Sequence, residues 1–313
     1  MDKLLVSPSP HIHSGASTRR IMLDVIIALV PAAVISIIYF GYNAALLIAV
    51  CIASAVFSEW ASRKIMKREG TCGDLSAVVT GLILALNLPS TLPLWMAIIG
   101  AAVAIVVVKQ LFGGLGQNFA NPAIVGRIVL TMSFTAAMTN WVEPFSWLKG
   151  DAVTTATPLA STYAGNADYL DMFLGLTGGS MGETCALALL IGGVYLICRK
   201  VISPIIPVVY VGTTALMLFV CGEDPIKGVL SGGLMLGAFF MATDYVTSPN
   251  TKLGKVIFAV GCGLVTAVIR VYGSLPEGAS FSILLMNILT PQIDRLVLSR
   301  PFGVQKEKKE AAK

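Results

Sequence analysis

Charge is scarce in this sequence, and histidine scarcer. Of 313 residues, 12% are Asp, Glu, Lys or Arg and two are His, His11 and His13, whereas a soluble domain carries about 25% charged residues. That deficit argues against an ordinary soluble enzyme. The six cysteines (Cys51, Cys72, Cys185, Cys198, Cys221, Cys262) never fall at Cys-x-x-Cys spacing, so zinc-ribbon and iron–sulfur frameworks are not expected. There is no Gly-x-Gly-x-x-Gly fingerprint, so a dinucleotide site of that type is not expected. No Ser–His–Asp set or paired-carboxylate site stands out, and no catalytic residue is assigned. The two histidines share a short polar arm, where docking to a partner is a plainer role than metal binding. The formal charge of +5 reads by position along a membrane and not as a nucleic-acid footprint.

What the chain has is apolar length. Hydrophobic residues make up 56% of it, mean hydropathy is +0.81, and runs near bilayer length, about 20 residues, recur throughout. The expected fold class is an all-α integral membrane protein with about ten transmembrane helices. Their expected limits are Ile21–Phe40, Ala44–Trp60, Leu75–Pro89, Leu92–Leu111, Pro122–Met138, Met181–Cys198, Ile202–Cys221, Ile226–Tyr245, Leu253–Val271 and Phe281–Leu298. The polar start, MDKLLVSPSPHIHSGASTRR, precedes a full-length apolar run and reads as a retained arm, not a signal peptide.

Lysine and arginine set the orientation. With the N-terminus inside, the inner loops collect Lys3, Arg19, Arg20, Arg63, Lys64, Lys67, Arg68, Lys109, Arg199, Lys200, Lys252, Lys255 and the tail from Arg295, while Lys149, Lys227 and Arg270 fall outside. Both termini are then cytoplasmic. The expected plan is an inner arm 1–20, a first five-helix half 21–138, an outward loop 139–180, a second five-helix half 181–298 and a charged tail 299–313.

Two stretches look alike: GDLSAVVTGLILALNLPS from Gly73 and GVLSGGLMLGAFFMATDYVTSP from Gly228. An odd number of spans separates them, which predicts an inverted 5+5 repeat with a functional site between the halves. FGGLGQNFANPAIVGR from Phe112 and YGSLPEGASFSILLMN from Tyr272 correspond as well. Gly- and Asn-rich backbone beside a span cannot face lipid and must pack in protein or line a cavity. There the Asn118 and Asn121 amides suit a heterocycle with imide edges, or Asn121 caps the helix that Pro122 opens. Charged residues in or near spans are Glu59, Arg127, Glu183, Asp244, Arg270 and Asp294; burying a charge at mid-membrane is costly and invites a functional reading, while those at span ends contact headgroups and water. Arg127 is the expected cavity-facing residue, and Asp244 the candidate for an ion path.

The outward loop contains DAVTTATPLAST, Asp151 to Thr162, with five hydroxyl residues. A threonine-rich loop is commonly a solvated turn, although a threonine hydroxyl can also be esterified to a phosphate.

These segments, with SPSPHIHS…STRRIMLDVIIALVPA at the start, resemble the RnfD family of membrane subunits from Rnf complexes, the ion-translocating ferredoxin:NAD oxidoreductases, over nearly the whole chain. The NqrB-type subunits of the Na⁺-translocating NADH:quinone reductase are the neighbouring group, and the fold is similar to that of urea transporters. In this family Asp-x-x-Ser/Thr-x-Ala-Thr is a flavinylation signal. Asp151, Thr154, Ala156 and Thr157 match it, so the resemblance implies FMN joined to Thr157 through a phosphoester, placed there by a flavin transferase. It further implies a non-covalent riboflavin, for which Asn118, Asn121 and Arg127 are the candidate pocket. The implied partners are the other Rnf subunits (membrane, flavin and iron–sulfur), with lipid around the chain in a prokaryotic inner membrane and no nucleic acid. The short arm before the first span favours the Rnf type. A quinone-reductase B-type subunit or a urea-transporter-like solute channel are the alternatives.

Overall fold

The computed structural model describes residues 17–68, 72–149, 154–155, 168–273 and 278–297. Helices dominate it. α1 (Thr18–Phe40) starts where the Ser17 hydroxyl accepts the Arg20 amide at 3.3 Å; at 1.5 Å per residue its 23 residues span about 34 Å, the thickness of a bilayer core. Gly41, at φ +71°, turns the chain at once into α2 (Tyr42–Ile65), whose last turn carries Arg63 and Lys64, the sign a helix C-terminus favours. α3 (Ser76–Leu86) is short, as expected before the Asn-Leu-Pro stretch. α4 (Leu94–Ala102) runs on as π-helical turns through Val103–Gln110. α5 (Pro122–Ser133) opens on an Asn121 cap with proline in its first turn.

On the far side of residues 139–180, α6 is Ala186–Cys198 and α7 is Ile205–Val220. The next stretch departs from the expected helix over Ile226–Tyr245. It is broken into α8 (Pro225–Leu230) and α9 (Leu234–Leu236), the latter continuing as π-helical turns over Gly237–Met241. The break falls where Gly232 and Gly233 both take positive φ, +70° and +67°, a conformation glycine adopts without steric penalty. α10 (Lys252–Tyr272) is capped by Thr251, and α11 (Ala279–Leu296) contains Pro291.

Three of these helices (α1, α2 and α10) are long and apolar enough to cross a membrane; α3, α4 with its extension, α5, α6 and α7 are shorter apolar helices. Leu23, Ile27, Val30, Val34 and Ile38 form an exposed apolar stripe down α1, which suits lipid and not water. The chain is thus a helical protein with the features of a multi-pass membrane protein. α1 packs along α6, α2 along α3 and α4, α7 along α10, and α5 and α10 each meet α11. Gly81 lets α3 press on the α2 backbone: a Cβ there would lie 2.8 Å from the Cys51 carbonyl oxygen, the small-residue packing common between membrane helices.

Candidate functional site

The candidate residues fall in three places: the face that holds Thr154–Thr155, a cavity at the opposite end, and clusters of buried charge.

Asp151, Ala156 and Thr157 lie outside the described residues. Thr154–Thr155 forms a short strand, β2, antiparallel to β1 (Trp141–Val142), with Trp141 opposite Thr155 and Val142 opposite Thr154. Trp141 and Val142 are buried, and Phe145 N donates to the Tyr39 carbonyl at 2.7 Å. β1 and β2 therefore sit at the C-terminal end of α1. On this same face Tyr39 Oη donates to the Leu174 carbonyl, and Tyr169 Oη donates to Asp224 Oδ2 at 2.5 Å. That last bond holds the Asp224 carboxyl below, and the Tyr169 hydroxyl above, their usual ranges.

The cavity lies at the other end of α1, since Thr18 lines it. Its volume is about 290 Å³, near the lower bound for small-ligand pockets, roughly 300–1,000 Å³. Phe239 and Phe240 contribute to its walls, with Lys109, Asn118, Asn121 and Asp244 as polar lining. The two asparagines meet here as the sequence suggests, but their amides are engaged. Asn121 Oδ1 accepts the Ala123 amide at 3.0 Å and its Nδ2 donates to the Met241 carbonyl at 3.2 Å, so Asn121 caps α5 and ties it to the end of α9. Asn118 Nδ2 donates to the Ala120 carbonyl at 3.1 Å and lies 3.5 Å from Asp244 Oδ2. Asp244 otherwise takes neutral donors, Thr247 Oγ1 and Val246 N.

Arg127 does not line this cavity, contrary to the expectation for it. It is 3% exposed and holds a polar cluster between elements far apart in sequence. Nη1 donates to Asn87 Oδ1 at 2.8 Å and Ser280 Oγ at 3.2 Å; Nη2 donates to Glu183 Oε1 at 3.0 Å and Ser180 Oγ at 3.4 Å. With so many neutral partners around it, this buried ion pair is one whose charges are not left bare. Beside it, a Cβ on Gly233 would come within 2.5 Å of Glu183 Oε1.

A second cluster lies at the cavity, whose lining includes Lys109 and Ser76. Lys109 Nζ donates to Glu59 Oε1 at 2.9 Å and to Ser76 Oγ at 2.5 Å, and Gln110 Nε2 reaches the same Glu59 oxygen at 2.9 Å. In the second half Arg270 donates to the carbonyls of Gly228, Ser231 and Gly232, the last two at 3.1 and 3.0 Å. Asp294 receives both the backbone and side-chain N–H of Asn250, at 3.2 and 3.3 Å, and braces a turn. Asn87, Ser180, Ser280, Gln110 and the cluster role of Lys109 were not anticipated; a polar residue inside an apolar run was the available signal for Asn87 and Ser280.

Residues 5–303 match the NQR2, RnfD, RnfE family. The chain is 51% identical over 315 residues to the D-type subunit of the Na(+)-translocating ferredoxin:NAD(+) oxidoreductase complex of Acetobacterium woodii, covering 98% of each chain. It is 43% identical over 320 residues to the D-type subunit of the proton-translocating ferredoxin:NAD(+) oxidoreductase complex of Clostridium ljungdahlii, covering 96% of each. A third relative, the D-type subunit of the ion-translocating oxidoreductase complex of Halorhodospira halophila, is 36% identical over 335 residues and 94% of each chain.

Proposed function

The chain belongs to the NQR2, RnfD, RnfE family, and from that premise we propose that it is the D-type membrane subunit of an ion-translocating ferredoxin:NAD oxidoreductase, carrying FMN as a phosphoester on Thr157. The observation that carries this reading is near-full-length identity to two D-type subunits in a chain that holds Asp151-x-x-Thr154-x-Ala156-Thr157. The donor chemistry fits: a phosphoester needs one hydroxyl, and no metal ligand or anion-binding loop. FMN, when bound, supplies reversible electron exchange. The chain's own part is to hold the attachment segment. The pairing of Thr154–Thr155 with buried β1, at the end of α1 away from the cavity, supports this reading.

The apolar cavity beside Asn118 and Asn121 is the proposed place of a second, non-covalent flavin, riboflavin. Its aromatic and aliphatic walls suit an uncharged ring system. Asn121 would act there by shaping the wall through its cap, and Arg127 has no direct part. Asp244, a carboxylate on the cavity wall with neutral partners, is the proposed ion-path residue. One close relative is named for sodium and the other for protons, so membership of this group is compatible with either cation.

The proposed layout is the inverted pair of five-helix halves, 21–138 and 181–298, with arm 1–20 and tail 299–313 in the cytoplasm and loop 139–180 outside. Two features support it. α3 and α9 both start from a left-handed residue, Leu75 (φ 65°, ψ 4°) and Gly233 (φ 67°, ψ 7°). Each start is also approached by a cation from the end of a later helix in its own half, Lys109 or Arg270. The partners are the other membrane, flavin and iron–sulfur subunits, lipid, and a flavin transferase that reads the motif.

In a denaturing gel of the purified chain, the wild type and Thr155→Ala should fluoresce under ultraviolet light and Thr157→Ala should be dark. A fluorescent Thr157→Ala band removes the assignment, and a dark wild-type band favours a plain solute channel.

A further inference from the structure

α11 carries a buried polar face. Ser280, Asn287 and Thr290 are seven and three residues apart, which sets them within about 80° of one another around the helix. All three are buried. Two of them are accounted for: Ser280 Oγ accepts from Arg127, and Thr290 Oγ1 donates to the Thr247 carbonyl at 2.9 Å. Asn287 is not. It is 2% exposed, and neither its Nδ2 nor its Oδ1 has a hydrogen-bond partner among the described residues.

Position makes this more than a packing fault. Asn287 is the ninth of the 18 residues of α11, at the centre of a helix about 27 Å long. Leaving an amide unpaired in an apolar interior costs several kcal/mol in a medium that cannot hydrogen-bond. Four residues on stands Pro291, which has no N–H, so the Asn287 carbonyl also loses its usual helical donor. One residue at mid-helix thus presents an unpartnered side-chain donor and acceptor beside a main-chain carbonyl that lacks its i+4 N–H. Asn287 also ends the segment that begins at Tyr272, as Arg127 ends the matching one from Phe112. The first half places a fully engaged guanidinium at this point in the repeat, and the second an amide with nothing to hold.

We propose that Asn287 and its proline-freed carbonyl hold water at the middle of α11, joining the Arg127–Ser280 cluster to Thr290 and Thr247 as a hydrated polar track for a small cation. An amide with donor and acceptor both open suits water, which gives and takes hydrogen bonds and typically makes about three of them when buried. A bare cation would use only the oxygens. The cargo follows from the proposed ion-translocating role, on which this inference rests: a sodium ion or a proton passing along water and hydroxyl oxygens.

The intact complex in proteoliposomes provides the test. Asn287→Leu keeps side-chain size and removes the amide. Ferredoxin-to-NAD electron transfer should hold at the wild-type rate while cation uptake per electron falls roughly tenfold, the scale of one lost hydrogen-bonding station. Reading uptake as sodium and as internal pH distinguishes the two cargoes. Unchanged uptake per electron in the variant overturns the track; a wild-type complex whose electron transfer moves no cation overturns the functional reading instead. Independently of activity, in a background without native cysteines, Asn287→Cys should react with a small charged methanethiosulfonate, as Lys252→Cys at the surface does and Ile283→Cys one turn away does not. An unreactive Asn287→Cys beside a reactive Lys252→Cys contradicts the hydrated station.

Discussion

Residues 21–138 and 181–298, the two halves of the proposed repeat, meet a similar structural demand with different chemistry. In the first, α3 starts from Leu75, and its head is held by side chains: Lys109 donates to Ser76 and to Glu59, so a cation is answered by an anion. In the second, the helix parts at Ser231–Gly233, and Arg270 is answered by backbone carbonyls. A guanidinium whose two terminal nitrogens are answered by peptide dipoles, with its Nε left without a partner among the described residues, has no buried carboxylate beside it but needs an unwound turn to supply the carbonyls. That turn brings Gly233 under Glu183, and Glu183 reaches across to Arg127 in the first half. Glu183, packed against the broken helix, is therefore one of the points at which residues 181–298 are fastened to residues 21–138.

Removing one partner of that fastening should have the largest effect. Arg127→Leu or Glu183→Leu alone leaves an opposed charge buried, which costs about 3–5 kcal/mol, whereas the double replacement should recover most of the loss. Unfolding of the purified protein in detergent measures this. Single variants that each cost less than about 1 kcal/mol, or a double variant as damaged as the sum of the singles, would show that the halves are not fastened here.

A smaller effect should separate the two helix heads. Gly233→Ala puts a side chain at positive φ, at a cost of about 1–2 kcal/mol, and presses on Glu183. Leu75→Gly removes a strained side chain while losing a half-buried one, so its net change should stay within about 1 kcal/mol. Equal losses at both positions would erase the distinction drawn between the halves.

Much of the scaffold was readable because apolar runs bounded by Pro, Gly and charge are a direct record of which backbone can sit away from water. α1, α2, α10 and the Asn121–Pro122 start of α5 fall where those signals put them. The break between α8 and α9 did not announce itself, because adjacent glycines in a small-residue run are ordinary in membrane helices, and only their φ values reveal the turn. Arg127 was legible as a buried charge but not as a clasp: its partners Asn87, Ser180, Glu183 and Ser280 lie 40, 53, 56 and 153 residues away, and no local pattern encodes such meetings. The Asp151–Thr157 motif rests on resemblance alone, since a threonine that carries a phosphoester has the same local chemistry as one in a solvated turn.

An intact mass of the chain, taken from complex purified out of its own membrane, bears on the flavin most directly. The unmodified chain is 32.9 kDa. The expected spectrum shows one species heavier by FMN less one water, with fragment ions placing the addition on Thr157, and a Thr157→Ala chain at its unmodified mass. A wild-type chain at the bare mass, or an adduct that persists in Thr157→Ala, would contradict covalent flavin at this residue.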